Sequence, residues 1–295
     1  MEGHVRAFLT ALGSDDAYSS STRMAYENDL RCFVAYLQDS LTRSPRLSDF
    51  TTRQVADFLE HERVQGLRHS TLIRRRATLR RFARFLKKQF PDKVEQFDPS
   101  SKLIDLSLGR PAETNKPNYL GTDQLEAVWA VLLASPSPRA RRDHALMAIL
   151  LEMGLSVASL VALDLQDVNL EAGMLCLAVE EDRQIWISLG EAGEPLQRYL
   201  QVGRPELNCS PEEQALFVSQ TGRRMSRQGV WQVLRQWGRR ARLEEVLTPR
   251  LVRHTAAFRL AKSGRSLEDI QALLGHTNPL STHALLRRLK VDLVE

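Results

Sequence analysis

Arg250, Arg253 and His276 are the residues in this sequence best suited to chemistry, and the chemistry they suit is that of a phosphodiester. Arg250, Arg253 and His254 stand in "TPRLVRHTAAFRLAKSG", in the first turn of an amphipathic helix. A separation of three residues puts the two guanidiniums on one helix face. Backbone N–H groups at a helix start point the same way, and together they hold a phosphate well. Further along, His276 occupies a Gly-His turn in "LLGHTNPLSTHALL", between one helix end and the next helix start. Two arginines at a helix start and a histidine on a tight turn fit a phosphodiester pocket. The same spacing fits a surface ion-pair cluster with a capping histidine, and these residues alone leave both readings open.

The elements that would position such a site can be read around it. "TPRLVRHTAAFRLAKSG" and "SLEDIQALLGH" read as helices, with Gly264 and Gly275 where helix C-caps belong. "SPRARRDHALMAILLEMGL" is a mostly apolar helix, hence central and buried, and "SVASLVALDLQDVNL" a shorter helix and exit. "GMLCLAV" and "QIWISLG" bracket the polar "EEDR", the pattern of an antiparallel hairpin or three short strands. In "LGTDQLEAVWAVLLAS" Thr122 is placed to cap a helix. Trp231 and Trp237, in "SRQGVWQVLRQWGRRARL", are expected to pack in the core rather than stack on a nucleic acid.

The N-terminal third is helical. Tyr26, Leu30, Phe33 and Leu37 recur at helical spacing; Thr51 can cap a helix whose stripe is Val55, Phe58 and Leu59. In "RHSTLIRRRATLRRFARFLKKQF" the apolar face is Leu72, Leu79, Phe82, Leu86 and Phe90, while Arg74, Arg81, Arg84 and Lys88 fall on another face. From Arg63 to Lys88 there are ten Arg or Lys and no Asp or Glu, and residues 1–120 carry the entire net charge of +5. Such a run implies a polyanion, most simply a nucleic acid. Residues 91–119 contain four prolines and little periodicity. The expected organisation is a helical domain over 1–92, a linker over 93–118 and a second domain over 119–295.

Composition excludes other classes. No run of 18 apolar residues exists, so no membrane span is expected, and the N-terminal stretch reads as a helix rather than a signal peptide. Cys32, Cys176 and Cys209 are far apart and form no C-x-x-C pair, which fits a reducing, cytoplasmic setting and no metal. No cofactor is expected.

At this point the sequence resembles the tyrosine recombinases, the family of phage integrases and Xer recombinases. "STRMAYENDLRCFVAYL" and "HSTLIRRRATLRRFARFL" resemble helices of that family's N-terminal DNA-clamping domain. "RRDHALMAILLEMGLSVASLVALDLQDVN", "LFVSQTGRRMSRQGVWQVLRQWGRRARL" and "LTPRLVRHTAAFRLAKSGRSLEDIQALLGHTNPLST" are similar to successive blocks of its catalytic domain. The resemblance implies a mainly α fold with a small antiparallel β-sheet: a SAM-like core-binding domain and a catalytic-type domain in a C-shaped clamp around DNA. It also implies a tyrosine that attacks a DNA phosphate, assisted by two arginines, a lysine and two His-type groups.

Carried over by position, the second arginine matches Arg253 and the second His-type group matches His276. The other positions depart. Ser156 stands where the first arginine belongs, Glu180 where the lysine belongs (with Arg183 close by), and Arg250 where the first histidine belongs. Leu285, within the span Ala284–Leu286, stands where the nucleophile belongs. The five tyrosines, Tyr18, Tyr26, Tyr36, Tyr119 and Tyr199, all precede His276. Ser281, Thr282 or His283 would each need an activating base to substitute.

The leading expectation is a DNA-binding pseudoenzyme of recombination or integration, associated with the nucleoid. Its expected DNA contacts are Arg68, Arg74, Arg75, Arg81, Arg84, Lys88, Arg223, Arg224, Arg227, Arg250, Arg253 and His276. An active tyrosine recombinase, or further copies of this chain on DNA, are the other expected partners. Two alternatives are a recombinase completed in trans and a scaffold repurposed for protein contacts.

Overall fold

The computed structural model describes residues 1–13, 20–91, 96–98, 100–108, 119–180, 183–276 and 278–291. The chain divides into two compact units, Met1–Glu113 and Thr114–Glu295. No described helix is long and apolar enough to cross a membrane.

The first unit contains α1 (Glu2–Gly13), α2 (Ser20–Leu41), α3 (Thr52–Val64), α4 (His69–Gln89) and the short α5 (Lys102–Leu106). Their apolar stripes converge on Phe8, Phe33, Phe50, Phe58 and Phe82, all at most 2% exposed. Each such side chain stabilises the fold by about 1.5–3 kcal/mol relative to exposure. Thr51 caps α3 as its position predicts, accepting from the Gln54 N–H at 3.2 Å. Part of the expected linker belongs to this unit. Phe97, Ile104 and Leu108 are buried in its core. The backbone N–H of Asp98 donates to Thr52 Oγ1 at 2.7 Å. Three apolar side chains spread over twelve residues were too sparse to register as a periodic element.

The second unit is built on α7 (Pro138–Met153), whose Ala145, Leu146, Ile149 and Met153 are almost wholly buried. Around it lie α6 (Thr122–Leu133), α8 (Val157–Ala162), α9 (Gly193–Arg198) and α10 (Arg227–Arg240). The cap of α6 is Gly121 rather than Thr122, because Gln124 reaches back to accept the Gly121 N–H at 2.9 Å. A three-stranded antiparallel sheet, β1 (Val168–Asn169), β2 (Met174–Glu180) and β3 (Arg183–Ser188), follows in sequence order. Leu175 pairs with Ile187 and Leu177 with Ile185 on the face turned to the core, while Trp186 opposite Cys176 is half exposed. Trp237 is buried, its Nε1–H donating to Asp143 Oδ2 at 2.8 Å, whereas Trp231 is partly exposed beneath the Arg235 guanidinium.

The unit ends with α11 (Pro249–Lys262), α12 (Leu267–Leu274) and α13 (Pro279–Arg288). Thr248 caps α11 ahead of Pro249, and Asn278 caps α13 ahead of Pro279. Pro at the first helical position costs no hydrogen bond, so both starts are sharply defined. Gly275 ends α12 in the left-handed region at φ 63°. Leu260, Ile270, Leu274, Leu285, Leu286 and Leu289 pack the three helices together.

Candidate functional site

The helix starts and the Gly-His turn named above converge. A cavity of about 360 Å³ is lined by Arg250, Arg253 and His254 of α11, by His276, and by residues of α8 and α13.

Arg253 is its fixed point. Its Nη1 donates to the Gly154 carbonyl at 3.1 Å, and its Nη2 donates to the Leu274 carbonyl. Those carbonyls end α7 and α12, where helix carbonyls lack intrahelical partners and the helix dipole is negative. One guanidinium thus caps two helices and holds three together. Gly154 is required for this junction. It has φ 64°, and a Cβ there would lie 2.8 Å from Leu274 Cδ2. Two of the five guanidinium N–H groups are accounted for by these bonds. Burial lowers the Arg253 pKa from the ordinary arginine value.

His276 is fixed from both sides. Its Nδ1 lies 2.9 Å from the hydroxyl of the fully buried Thr282, and its carbonyl accepts from Gln271 Nε2 at 2.9 Å. Burial first, and the Arg253 charge second, lower its pKa below the usual histidine value, so the ring is neutral at pH 7. Arg250 is exposed and its Nε donates to Nε2 of the buried His254 at 3.5 Å.

The positions expected to depart from the family pattern have defined places in the structure. Ser156 is the N-cap of α8: its Oγ accepts the Ser159 N–H at 3.0 Å, a role arginine cannot fill. Ser281, Ala284 and Leu285 of α13 line the cavity; Leu286 does not and is buried at 2% exposure. Thr282 is engaged with His276, and His283 is exposed and lies off the cavity lining. No tyrosine is among the described lining residues. Tyr199 sits in the core, where its hydroxyl donates to the Leu216 carbonyl at 3.1 Å and burial pushes its pKa to about 12. Tyr119 stacks on Phe258, and Tyr26 and Tyr36 pack in the first unit. Tyr18 lies outside the described residues. Glu180 pairs with Arg183 across the hairpin backbone, but both side chains lie outside the described residues.

The expected DNA contacts divide sharply. Arg75 is not available: it lies on the same α4 stripe as Leu72 and Leu79, is 8% exposed, and pairs with Asp29 and Glu62. Arg74 donates to Asp29 Oδ2 at 2.6 Å. Arg224 is also engaged, pairing with Asp164 and donating to the Val161 and Leu163 carbonyls. Arg68, Arg84, Lys88, Arg223 and Arg227 are exposed, and Arg81 is half-buried.

Arg288 also lines the cavity and escaped the sequence reading. Its signal was present: Ser281, Ala284, Leu285 and Arg288 form an i, i+3, i+4, i+7 stripe, the face of one helix. No carboxylate is among the described lining residues, against three arginines and two histidines.

Comparison with known proteins agrees with this geometry. The Phage integrase family model matches residues 118–288, and the Phage integrase N-terminal SAM-like domain model matches residues 5–89. The chain belongs to the phage integrase family. It is 32% identical to the tyrosine recombinase XerD of Proteus mirabilis, over 97% of this chain and 90% of that one. It is 31% identical to the tyrosine recombinase XerC of Roseiflexus castenholzii, over 96% of this chain and 88% of that one. Among solved structures, the Tn1549 transposon integrase with transposon right end DNA matches at a TM-score of 0.77 and 17% identity, covering 96% of this chain and 94% of that one. The lambda integrase dimer on a COC′ core site matches at 0.71 and 17% identity, covering 97% and 94%. The helices that line the cavity, α8, α11 and α13, all lie within the residues that the Phage integrase family model matches.

Proposed function

We propose that this integrase-family chain grips duplex DNA and does not itself cut it, serving as an accessory or regulatory subunit in site-specific recombination or integration. The observation that carries this reading is the cavity lining. Arg250, Arg253, His254 and His276 surround it without a described carboxylate, while α13 presents Ala284 and Leu285 to it. Losing one donor aimed at the transition state costs about 10²–10³ in rate. Losing the nucleophile removes the covalent route itself. Binding is less affected, because phosphate contacts are individually modest increments of affinity. The names of the relatives and the DNA in the solved neighbours support recombination sites as the target.

The test is a nicking assay on supercoiled plasmid, with nicked suicide duplexes to trap any protein–DNA adduct on a denaturing gel. No nick and no adduct are expected from the chain alone. A covalent adduct overturns the reading. Adding an intact tyrosine recombinase to the same assay separates an accessory role from completion in trans: in the second case strand exchange depends on Arg253 of this chain.

A further inference from the structure

We propose that Arg288 is a third phosphate-holding guanidinium of this cavity, standing in from α13 for the arginine that Ser156 replaces. The inference rests on the DNA-gripping reading above and adds a binding residue to it.

Three observations support it. Arg288 shares a helix face with Ser281, Ala284 and Leu285, and all four line the cavity; Arg287, its neighbour in sequence, is exposed but lies off the lining. Its guanidinium has no partner among the described residues, unlike Arg74, Arg75, Arg76 and Arg80, each of which meets a carboxylate. The cavity also carries Arg250 and Arg253 from α11 and no described carboxylate. Three like charges around about 360 Å³ repel one another until an anion enters. A phosphodiester of the DNA backbone has the charge and the acceptor oxygens to occupy that space, and guanidiniums bind it in a fork.

The placement has a mechanical consequence. Leu285 gives the cavity an apolar wall, and Arg288, one turn further on, grips the phosphate. The face of α13 that would present a nucleophile in the family then acts as a clasp. The electrostatic part of the site is retained although the position at 156 has become a helix cap.

The experiment is duplex binding by the full chain, followed by fluorescence anisotropy over a salt series, with thermal melts to verify folding. Arg288 is exposed, so Arg288→Gln is expected to melt like the parent. Its affinity is expected to fall several-fold and its log–log salt slope by about one, the signature of a lost phosphate contact. Arg288→Lys should retain the slope. In the Arg250→Gln background the loss from Arg288→Gln should shrink, because both groups address one phosphate. An unchanged slope in Arg288→Gln, with steep salt dependence in the parent, overturns the assignment and leaves the DNA-gripping reading standing. Equal losses from Arg287→Gln and Arg288→Gln also overturn it, since a diffuse surface charge would then suffice. If the parent itself shows no salt-dependent duplex binding, the underlying reading falls and the assignment with it.

Discussion

On α4, Arg74 and Arg75 turn toward Asp29, and Arg76 and Arg80 toward Asp105. At the α11–α13 cavity, Arg253 is held by two backbone carbonyls, and Arg250 and Arg288 meet no carboxylate among the described residues. The first region has the higher density of positive charge along the sequence, yet much of that charge is consumed inside its own fold. The second region belongs to the half of the chain with no net charge, yet two of its arginines keep no carboxylate partner among the described residues. Charge density along a sequence therefore does not count the arginines left without a carboxylate. What decides is where the carboxylates fall in space.

The largest expected effect tests the internal role of the α4 arginines. Asp29 is fully buried between Arg74, Arg75 and Thr78. Asp29→Ala breaks a buried ion pair, leaves Arg75 with Glu62 alone and takes the carboxylate acceptor of the buried Thr78 hydroxyl, and is expected to cost about 3–5 kcal/mol in urea unfolding. A loss below about 1 kcal/mol, within the range of ordinary surface changes, would erase the contrast between the regions. The next effect tests the seat of Arg253. Gly154→Ala forces a left-handed non-glycine and a clash with Leu274, expected to cost about 1–3 kcal/mol and to weaken duplex binding as the junction shifts.

Ser156→Ala removes the α8 cap and is expected to cost about 1 kcal/mol by the same unfolding measurement. Arg84→Gln, on the exposed side of α4, is expected to change stability by less than about 0.5 kcal/mol and lower the duplex salt slope by about one. Arg75→Gln should do the reverse, losing stability while keeping the slope. If both lower the slope equally, the distinction between consumed and available arginines fails.

The smallest effect is a pH dependence. The folded-state pKa of His276 is lowered, by burial and then by Arg253. Burial and Arg253 favour the neutral ring in the free protein, and a bound phosphate favours its charged form. Binding therefore takes up a proton, and duplex affinity should rise as pH falls below about 6.5. For stability the sign is opposite: the unfolded chain protonates first, so this group destabilises the fold as pH falls through that value. His276→Gln should flatten both profiles; an unchanged affinity profile removes His276 from the phosphate site.

Much of this architecture could be read along the chain. The α4 stripe, the Thr51 cap, the buried α7, the hairpin and Gly275 all follow from local rules of period, capping and left-handed backbone. Such rules act within a few residues, so a linear reading captures them. The presence of Arg253 and His276, and of no tyrosine after His276, was equally plain from residue identity. The partners of Arg75 lie 46 and 13 residues away, and that of the exposed Arg224 lies 60 residues away, beyond any local rule. Phe97, Ile104 and Leu108 form no periodic stripe because they join a core built from earlier residues, such as Phe50 beneath Phe97. Arg288 was missed because a helix face gains meaning only when its opposite wall is known. Sequence alone determined which groups this protein possesses and which helices carry them, since propensity, capping and chemical identity are local. Only the tertiary structure decided which arginines are already neutralised and which face a cavity, because that depends on distances between residues far apart in the chain.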